Sequence, residues 1–268
     1  MIRGVYDYAQ LDARGEADAA AARMQARADE PASEALFHAL VAPLLGPGTK
    51  RVLEVGCGPG ALSRRVAKEA PHARVFASDK SATMVAFAQE RAPYIEFRPW
   101  DVNDEATYPF DPAAPFDLIL SSVMVPYLTD AETESLVGRL ASRLAPGGVL
   151  AFVEQDLQTD ALAYPSYDLL SRVFAKDGRK LRRTMALGLR PLLRGAGLGT
   201  LPRASFLWTL DTYGPYLRDL FGRLTADAVK SGSITEDERA TFGHTLEELS
   251  DRGDFAYGIV YHRIAARR

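Results

Sequence analysis

The 268-residue chain contains a single cysteine, Cys57. One thiol cannot make an intramolecular disulfide or a cysteine-rich zinc site, so the chain reads as a protein of a reducing compartment, with the cytoplasm expected. Long hydrophobic runs are missing too. No window approaches the roughly 18 consecutive apolar residues of a membrane-spanning helix, and the opening MIRGVYDYAQLDARGEAD has no apolar segment of the secretory kind. No membrane partner is expected. Nor is there an excess of positive charge: a formal net charge of -3 provides no global field for gripping nucleic acid or anionic lipid, and DNA is not an expected partner. The basic end HRIAARR reads as a solvated terminus. No cluster of His, Cys, Asp and Glu stands out at metal-ligand spacing, so no metal is expected.

What is present is a globular composition, 47% apolar, enough to bury a full core. Residues 10–46 carry Leu36, Phe37, Leu40, Val41, Leu44 and Leu45 at helical spacing, which predicts one or two leading helices that stop at the Gly-Pro-Gly of residues 46–48. From residue 50 the texture changes to short β-branched and aromatic runs, RVLEV, RVFASD, IEFRPWD, FDLILSSV and GGVLAFVE, separated by helical spans. That alternation predicts an α/β fold with a parallel, doubly wound sheet. ASFLWTL and FAYGIVYHRIA supply two later strands, and the long polar stretch between them is too long for a tight hairpin. A structured helical insertion is expected there, capping a site. The whole chain reads as one domain: residues 1–48 a helical lid, 49–155 the core, and 156–268 a further part with its cap around 212–253.

The densest chemical signal is EVGCGPGA, residues 54–61. Gly56, Gly58 and Gly60 follow the first strand and open a helix, so bare backbone and free helix N–H groups face a ligand. By pattern alone the loop also satisfies a dinucleotide fingerprint through Gly56, Gly58 and Ala61, which keeps an NAD(P)-dependent oxidoreductase as an alternative. Glu54 argues against it, because a carboxylate in the loop suits a cationic amino group and crowds a pyrophosphate. Asp79, ending the second strand, is placed to bind ribose hydroxyls of either ligand. Asp101, just past the third strand, is a second acidic group where an adenine edge would lie.

Taken in order, EVGCGPG, Asp79, Asp101 with Val102, FDLILSSV and LAPGGVLAF resemble class I S-adenosylmethionine-dependent methyltransferases, most closely those acting on quinones and natural products. The resemblance covers roughly residues 50–155. It implies a Rossmann-like seven-stranded sheet in the order 3-2-1-4-5-7-6 with strand 7 antiparallel. It further implies that Glu54, Gly56, Gly58 and Gly60 hold the methionine end of the cofactor and Asp79 the ribose. Lys80 and Met84 would flank the adenosine, Asp101 and Val102 would meet the adenine, and Ser121 and Ser122 would lie beneath the sulfonium. Tyr6 and Tyr8 are candidates for a lid over the cofactor.

Methyl transfer is an in-line displacement whose reactive group belongs to the cofactor, so the protein mainly positions. A base is needed only where the acceptor must lose a proton. His244 in the insertion, and Glu154 with Asp156 after the fifth strand, are the candidate bases; His262 is a weaker one, and His38 and His72 read as surface or helix-end residues. Tyr127, Tyr213 and Tyr216 are candidates for an acceptor pocket, and Trp208 reads as core. The sequence after the fourth strand, SVMVPYL, lacks the amide or carboxylate and paired prolines of nucleobase amino-methyltransferases. The expected activity is methylation of a small organic acceptor, natural-product or quinone-like, within secondary metabolism, by a monomer or homodimer. An RNA methyltransferase is the alternative, with Lys176, Arg179, Lys180, Arg182 and Arg183 as its basic patch.

Calorimetric titration separates the cofactor readings: S-adenosylhomocysteine binds, NAD and NADP do not, and Asp79→Ala weakens the binding by about 1 to 3 kcal/mol. Binding to a nicotinamide cofactor alone would overturn the reading of Glu54 and Asp101.

Overall fold

The short apolar runs pair as their alternation demands. In a computed structural model describing residues 11–175 and 185–268, the strands are β1 (Arg51–Val55), β2 (Arg74–Asp79), β3 (Glu96–Pro99), β4 (Phe116–Ser122), β5 (Leu144–Leu162), β6 (Gly199–Thr200), β7 (Ala204–Leu210) and β8 (Tyr257–Arg267). Their order is β3-β2-β1-β4-β5-β8-β6, with β7 also beside β8. The first five pair in parallel, whereas β8 runs antiparallel to β5, β6 and β7. This is the expected Rossmann-like sheet, with its sixth place filled by two pieces. Pro202, which has no N–H for the ladder, lies in the short break between them.

One strand differs from expectation. β5 does not end near Glu154 but continues to Leu162, because β8 is long enough to pair with it on both sides of an irregularity between Asp156 and Ala161. Thr159 Oγ1 stitches that irregularity by accepting the Val260 N–H at 2.8 Å. Glu154 and Asp156 are therefore strand residues, not loop residues beyond a strand end.

Helices cover both faces: α1 (Leu11–Arg14), α2 (Ala17–Asp29), α3 (Pro31–Leu40), α4 (Ala61–Glu69), α5 (Ala82–Arg91), α6 (Asp130–Ser142), α7 (Tyr167–Phe174), α8 (Met185–Gly195), α9 (Pro215–Lys230) and α10 (Glu236–Asp251). Among the described residues the leading segment makes three helices, where one or two were expected. Strand alternation sends neighbours to opposite faces: Val52, Trp208 and Tyr261 join a core with Phe37, Leu217 and Phe221, while Leu53, Phe152 and Ile264 join another with Leu189 and Leu193. The insertion is the antiparallel pair α9 and α10. Pro215 opens the first, and a Thr235/Glu238 capping box opens the second. Phe221 anchors the pair, packing edge-on to Tyr257 at 5.8 Å and to Phe242 at 5.9 Å.

Among the described residues no helix is long and apolar enough to cross a membrane. Tyr6, Tyr8 and the basic group Lys176, Arg179, Lys180, Arg182 and Arg183 lie outside the described residues.

Phe221 is 0% exposed, so Phe221→Ala costs about 3 to 5 kcal/mol of unfolding free energy, measured in urea. A loss below about 1 kcal/mol would show that the α9–α10 pair is not part of the cooperative core.

Candidate functional site

β1 delivers the chain into the glycine loop, and β2 holds that loop in place. Gly56 and Cys57 donate their N–H groups to the Ser78 carbonyl at 2.8 and 2.9 Å. Gly58 donates to Asp79 Oδ2 at 2.8 Å, and Ser81, the N-cap of α5, donates its N–H to Asp79 Oδ1 at 2.9 Å. One carboxylate thereby fixes both the loop and the start of a helix, and its burial raises its pKa. Gly56 and Gly58 have φ of 72° and 51°, a region costly for residues with a Cβ. A Cβ on Gly56 would come within 2.6 Å of Met124 Sδ, and one on Gly58 within 2.9 Å of Met24 Sδ.

Above the loop lies a cavity of about 360 Å³, within the roughly 300 to 1,000 Å³ of small-molecule sites. The strand ends form its floor, α2 and α3 one wall, and α9 another. Glu54, Asp79 and Asp101 all line it. Burial pushes the Glu54 carboxyl up to about 7, although it accepts a hydrogen bond from the Ser63 hydroxyl. For Asp101, burial acts upward but is outweighed by Lys80, 2.7 Å away, and by the Asn103 N–H, which together lower its pKa. Arg23, Arg27 and Arg223 line the part of the cavity reached by α2 and α9. Asp219 pairs with Arg23 at 3.4 Å and with Arg223 at 2.7 Å. Three carboxylates thus gather at the glycine-loop side, one of them paired with Lys80, and three arginines at the helical wall, with Arg65 and Glu132 also in the lining.

Residues 52–148 match the family model described as a methyltransferase domain. A trans-aconitate 2-methyltransferase of Azoarcus sp. is 31% identical over 78% of this chain and 75% of its own length. The chain belongs to the class I S-adenosylmethionine-dependent methyltransferases. It spans about half the length, 46%, of the first of the curated relatives that it matches. Among solved structures, a Bacillus halodurans protein described as a methyltransferase shares the fold, with TM-score 0.55, 16% identity, and 88% of this chain and 98% of that one covered. A Haemonchus contortus phosphoethanolamine N-methyltransferase bound to S-adenosyl-L-methionine gives 0.53 at 16% identity, with 99% of this chain and 60% of that one covered.

The cofactor of the methyltransferase is S-adenosylmethionine, and the donor set fits it: bare backbone at two glycines and three carboxylates suit a ligand with a cationic amino end and ribose hydroxyls. Of the residues expected near it, Glu54, Gly56, Gly58, Asp79, Lys80, Met84, Asp101, Val102 and Ser122 line the cavity. Gly60 does not. Its missing side chain makes room for Phe97 and Ala88, where a Cβ would meet both within 2.9 Å. Ser121 is also turned away, because alternation along β4 directs it to the opposite face from Ser122.

None of the candidate bases is among the residues that line the cavity. His244 is 76% exposed and pairs with Glu248 one helical turn along α10. Asp156 pairs with His262 Nε2 at 3.4 Å, and His262 Nδ1 contacts the Ser205 hydroxyl at 2.7 Å, all outside the cavity lining. Glu154 lies on the face opposite its neighbours Val153 and Gln155, which do line the cavity. Tyr127 and Tyr216 line it, but Tyr213 is 7% exposed and packs against Phe255 and Phe221 instead. Trp208 is core, donating its indole N–H to Ser33 Oγ at 3.1 Å. The sequence reading missed Arg23, Arg27, Gln155, Arg223 and Tyr261; the one visible cue was the i, i+4 pair of arginines in ARMQARAD.

Glu154 nonetheless shapes the site. Its Oε1 accepts the N–H groups of Met124 and Val125 at 3.2 and 3.3 Å, while Oε2 is buried without a partner among the described residues. The preceding Val123 has a φ of 53°, strained for a β-branched residue. Glu154 therefore clamps the strained loop whose Ser122, Val123 and Met124 line the cavity.

Burial pushes the Glu154 carboxyl up to about 8. A carboxyl whose folded pKa exceeds its unfolded value, near 4.5, stabilises fully below pH 4.5 and loses that contribution as pH rises through about 8. Urea unfolding of Glu154→Gln is expected to fall less steeply with pH than the wild type across that window, by up to about 1.4 kcal/mol per pH unit. Parallel pH profiles would remove the buried proton from Glu154.

Proposed function

We propose that this methyltransferase esterifies a carboxylate of a small di- or tricarboxylic acid. The observation that carries the reading is the segregation of charge within one cavity. Arg23, Arg27 and Arg223 stand at the helical wall, two of them paired with Asp219, while Glu54, Asp79 and Asp101 gather at the glycine-loop side. Guanidinium groups match carboxylates in shape and charge, and their attraction strengthens where water is excluded. A quinone-like or apolar natural-product acceptor would cover those cations without bringing them an anion. The side chains of Arg23 and Arg223 are only 16% and 23% exposed, which suits a small acid rather than an RNA backbone tracking an outer surface. The relationship to trans-aconitate 2-methyltransferases points the same way.

The cofactor supplies an electrophilic methyl group on sulfur. In this reading Glu54 receives its amino group, Asp79 its ribose hydroxyls, and Asp101 with Val102 its adenine, flanked by Lys80 and Met84. Gly56 and Gly58 give it room, with Ser122 and Tyr127 on the wall after β4. A carboxylate acceptor is already an anion at neutral pH, so no proton has to be removed. That matches a cavity lined by none of the four histidines. The arginines orient the acid, and α2, α3 and α9 exclude water around it.

The test supplies S-adenosylmethionine labelled in its methyl group together with trans-aconitate and other small di- and tricarboxylates, quinols, phenols and total RNA. Label is expected in a base-labile methyl ester of an acid. Arg27→Gln raises the KM for that acid at least about tenfold and leaves the KM for the cofactor in place. Label recovered only in quinols, phenols or RNA would overturn the carboxylate reading.

A further inference from the structure

Two neutral residues on neighbouring strands meet at the cavity wall. Gln155 of β5 and Tyr261 of β8 are direct register partners, and both side chains line the cavity. The Gln155 amide N–H donates to the Tyr261 hydroxyl at 2.6 Å. Tyr261 is 3% exposed, with its ring edge-on to Trp208 at 6.4 Å, so it has little freedom to turn away. A phenol carries one donor hydrogen and a primary amide two. Their mutual bond uses one, and among the described residues neither side chain has a second hydrogen-bond partner. Whichever way the amide is turned, the pair, a half-buried amide beside a buried ring, keeps donors to spare at the cavity wall. Arg27, on the facing wall, is close enough for its charge to act on the Tyr261 phenol against the upward push of burial.

We infer that the Gln155–Tyr261 pair is a specificity-determining element that donates hydrogen bonds to a carboxylate of the acceptor. This rests on the carboxylate reading above and adds how one acid is told from another. An acid lacking that carboxylate covers the pair when it binds and offers it no partner, which is the condition under which a polar site discriminates strongly. A bare cluster of arginines attracts any anion; a fixed neutral donor pair selects by position.

The test compares trans-aconitate with mesaconate, the same skeleton with one carboxyl group removed, for wild type, Tyr261→Phe, Gln155→Leu and the double variant. Retained S-adenosylhomocysteine binding by calorimetry certifies each fold. Tyr261→Phe is expected to raise the KM for trans-aconitate about tenfold with kcat nearly held, and to change mesaconate far less, so the preference between the acids narrows. Gln155→Leu reads the same quantity should Tyr261→Phe fail to fold, and the double variant is no worse than the stronger single one, since the two act as a unit. A wild-type enzyme that methylates trans-aconitate, with the preference unchanged in both single variants, would overturn this assignment alone. A wild type that methylates no carboxylic acid would overturn the carboxylate reading and this inference with it.

Discussion

The antiparallel ladder between β5 and β8 is the contact on which the part of the cavity beside α2 and α9 depends. It runs from Val149 opposite Arg267 to Leu162 opposite Tyr257, interrupted once. Because side chains alternate along each strand, this register decides that Val153, Gln155 and Tyr261 face α2 and α9, while Glu154, Asp156 and His262 face the other way. A slip of one residue would exchange the two sets. Tyr257 of the same ladder packs against Phe221 of α9 and against Trp208 of β7, so wall and floor share one core.

The glycine-loop side of the cavity depends on Asp79 in a comparable way. Its two oxygens collect N–H groups from Gly58 and Ser81, so loop and helix cannot shift independently. Asp12 of α1 then accepts from the Ser81 hydroxyl at 2.7 Å and from the Ala82 N–H at 2.9 Å, tying the leading helices to the same point. From there α2 reaches over the loop. Arg64 of α4 bonds Gln25 at 2.6 Å, and Arg65 bonds Glu34 at 2.8 Å together with the Ala28 carbonyl. The helix that carries Arg23 and Arg27 is therefore anchored on the element that carries the glycine loop, which gives the two ends of the cavity a fixed relation.

Chemistry follows from that relation. In the proposed reading, carboxylates at one side of the cavity and arginines at the other hold a cation and an anion side by side, and transfer of a methyl group from sulfonium sulfur to carboxylate oxygen removes both charges. Such a reaction asks the protein for alignment and dryness more than for a proton acceptor. The buried carboxyl of Glu154 belongs to this design as a clamp: it holds the strained turn at Val123 from the face away from the cavity.

The sequence by itself determined the sheet, the glycine loop, and the carboxylates at Glu54, Asp79 and Asp101. All of these follow from local rules, period-2 alternation and residues at short fixed offsets from a strand end. It could not determine which of Glu154, Asp156, His244 and His262 meets the acceptor, because that turns on strand parity and helix facing. The continuation of β5 decides the first, and the docking of α10 through Phe242 leaves His244 in solvent. Only the tertiary structure brought Arg27, Gln155 and Tyr261 together, residues separated by more than a hundred positions between each pair. Their meeting is fixed by a strand register and a helix packed across it, and neither leaves a mark in any short stretch of the chain.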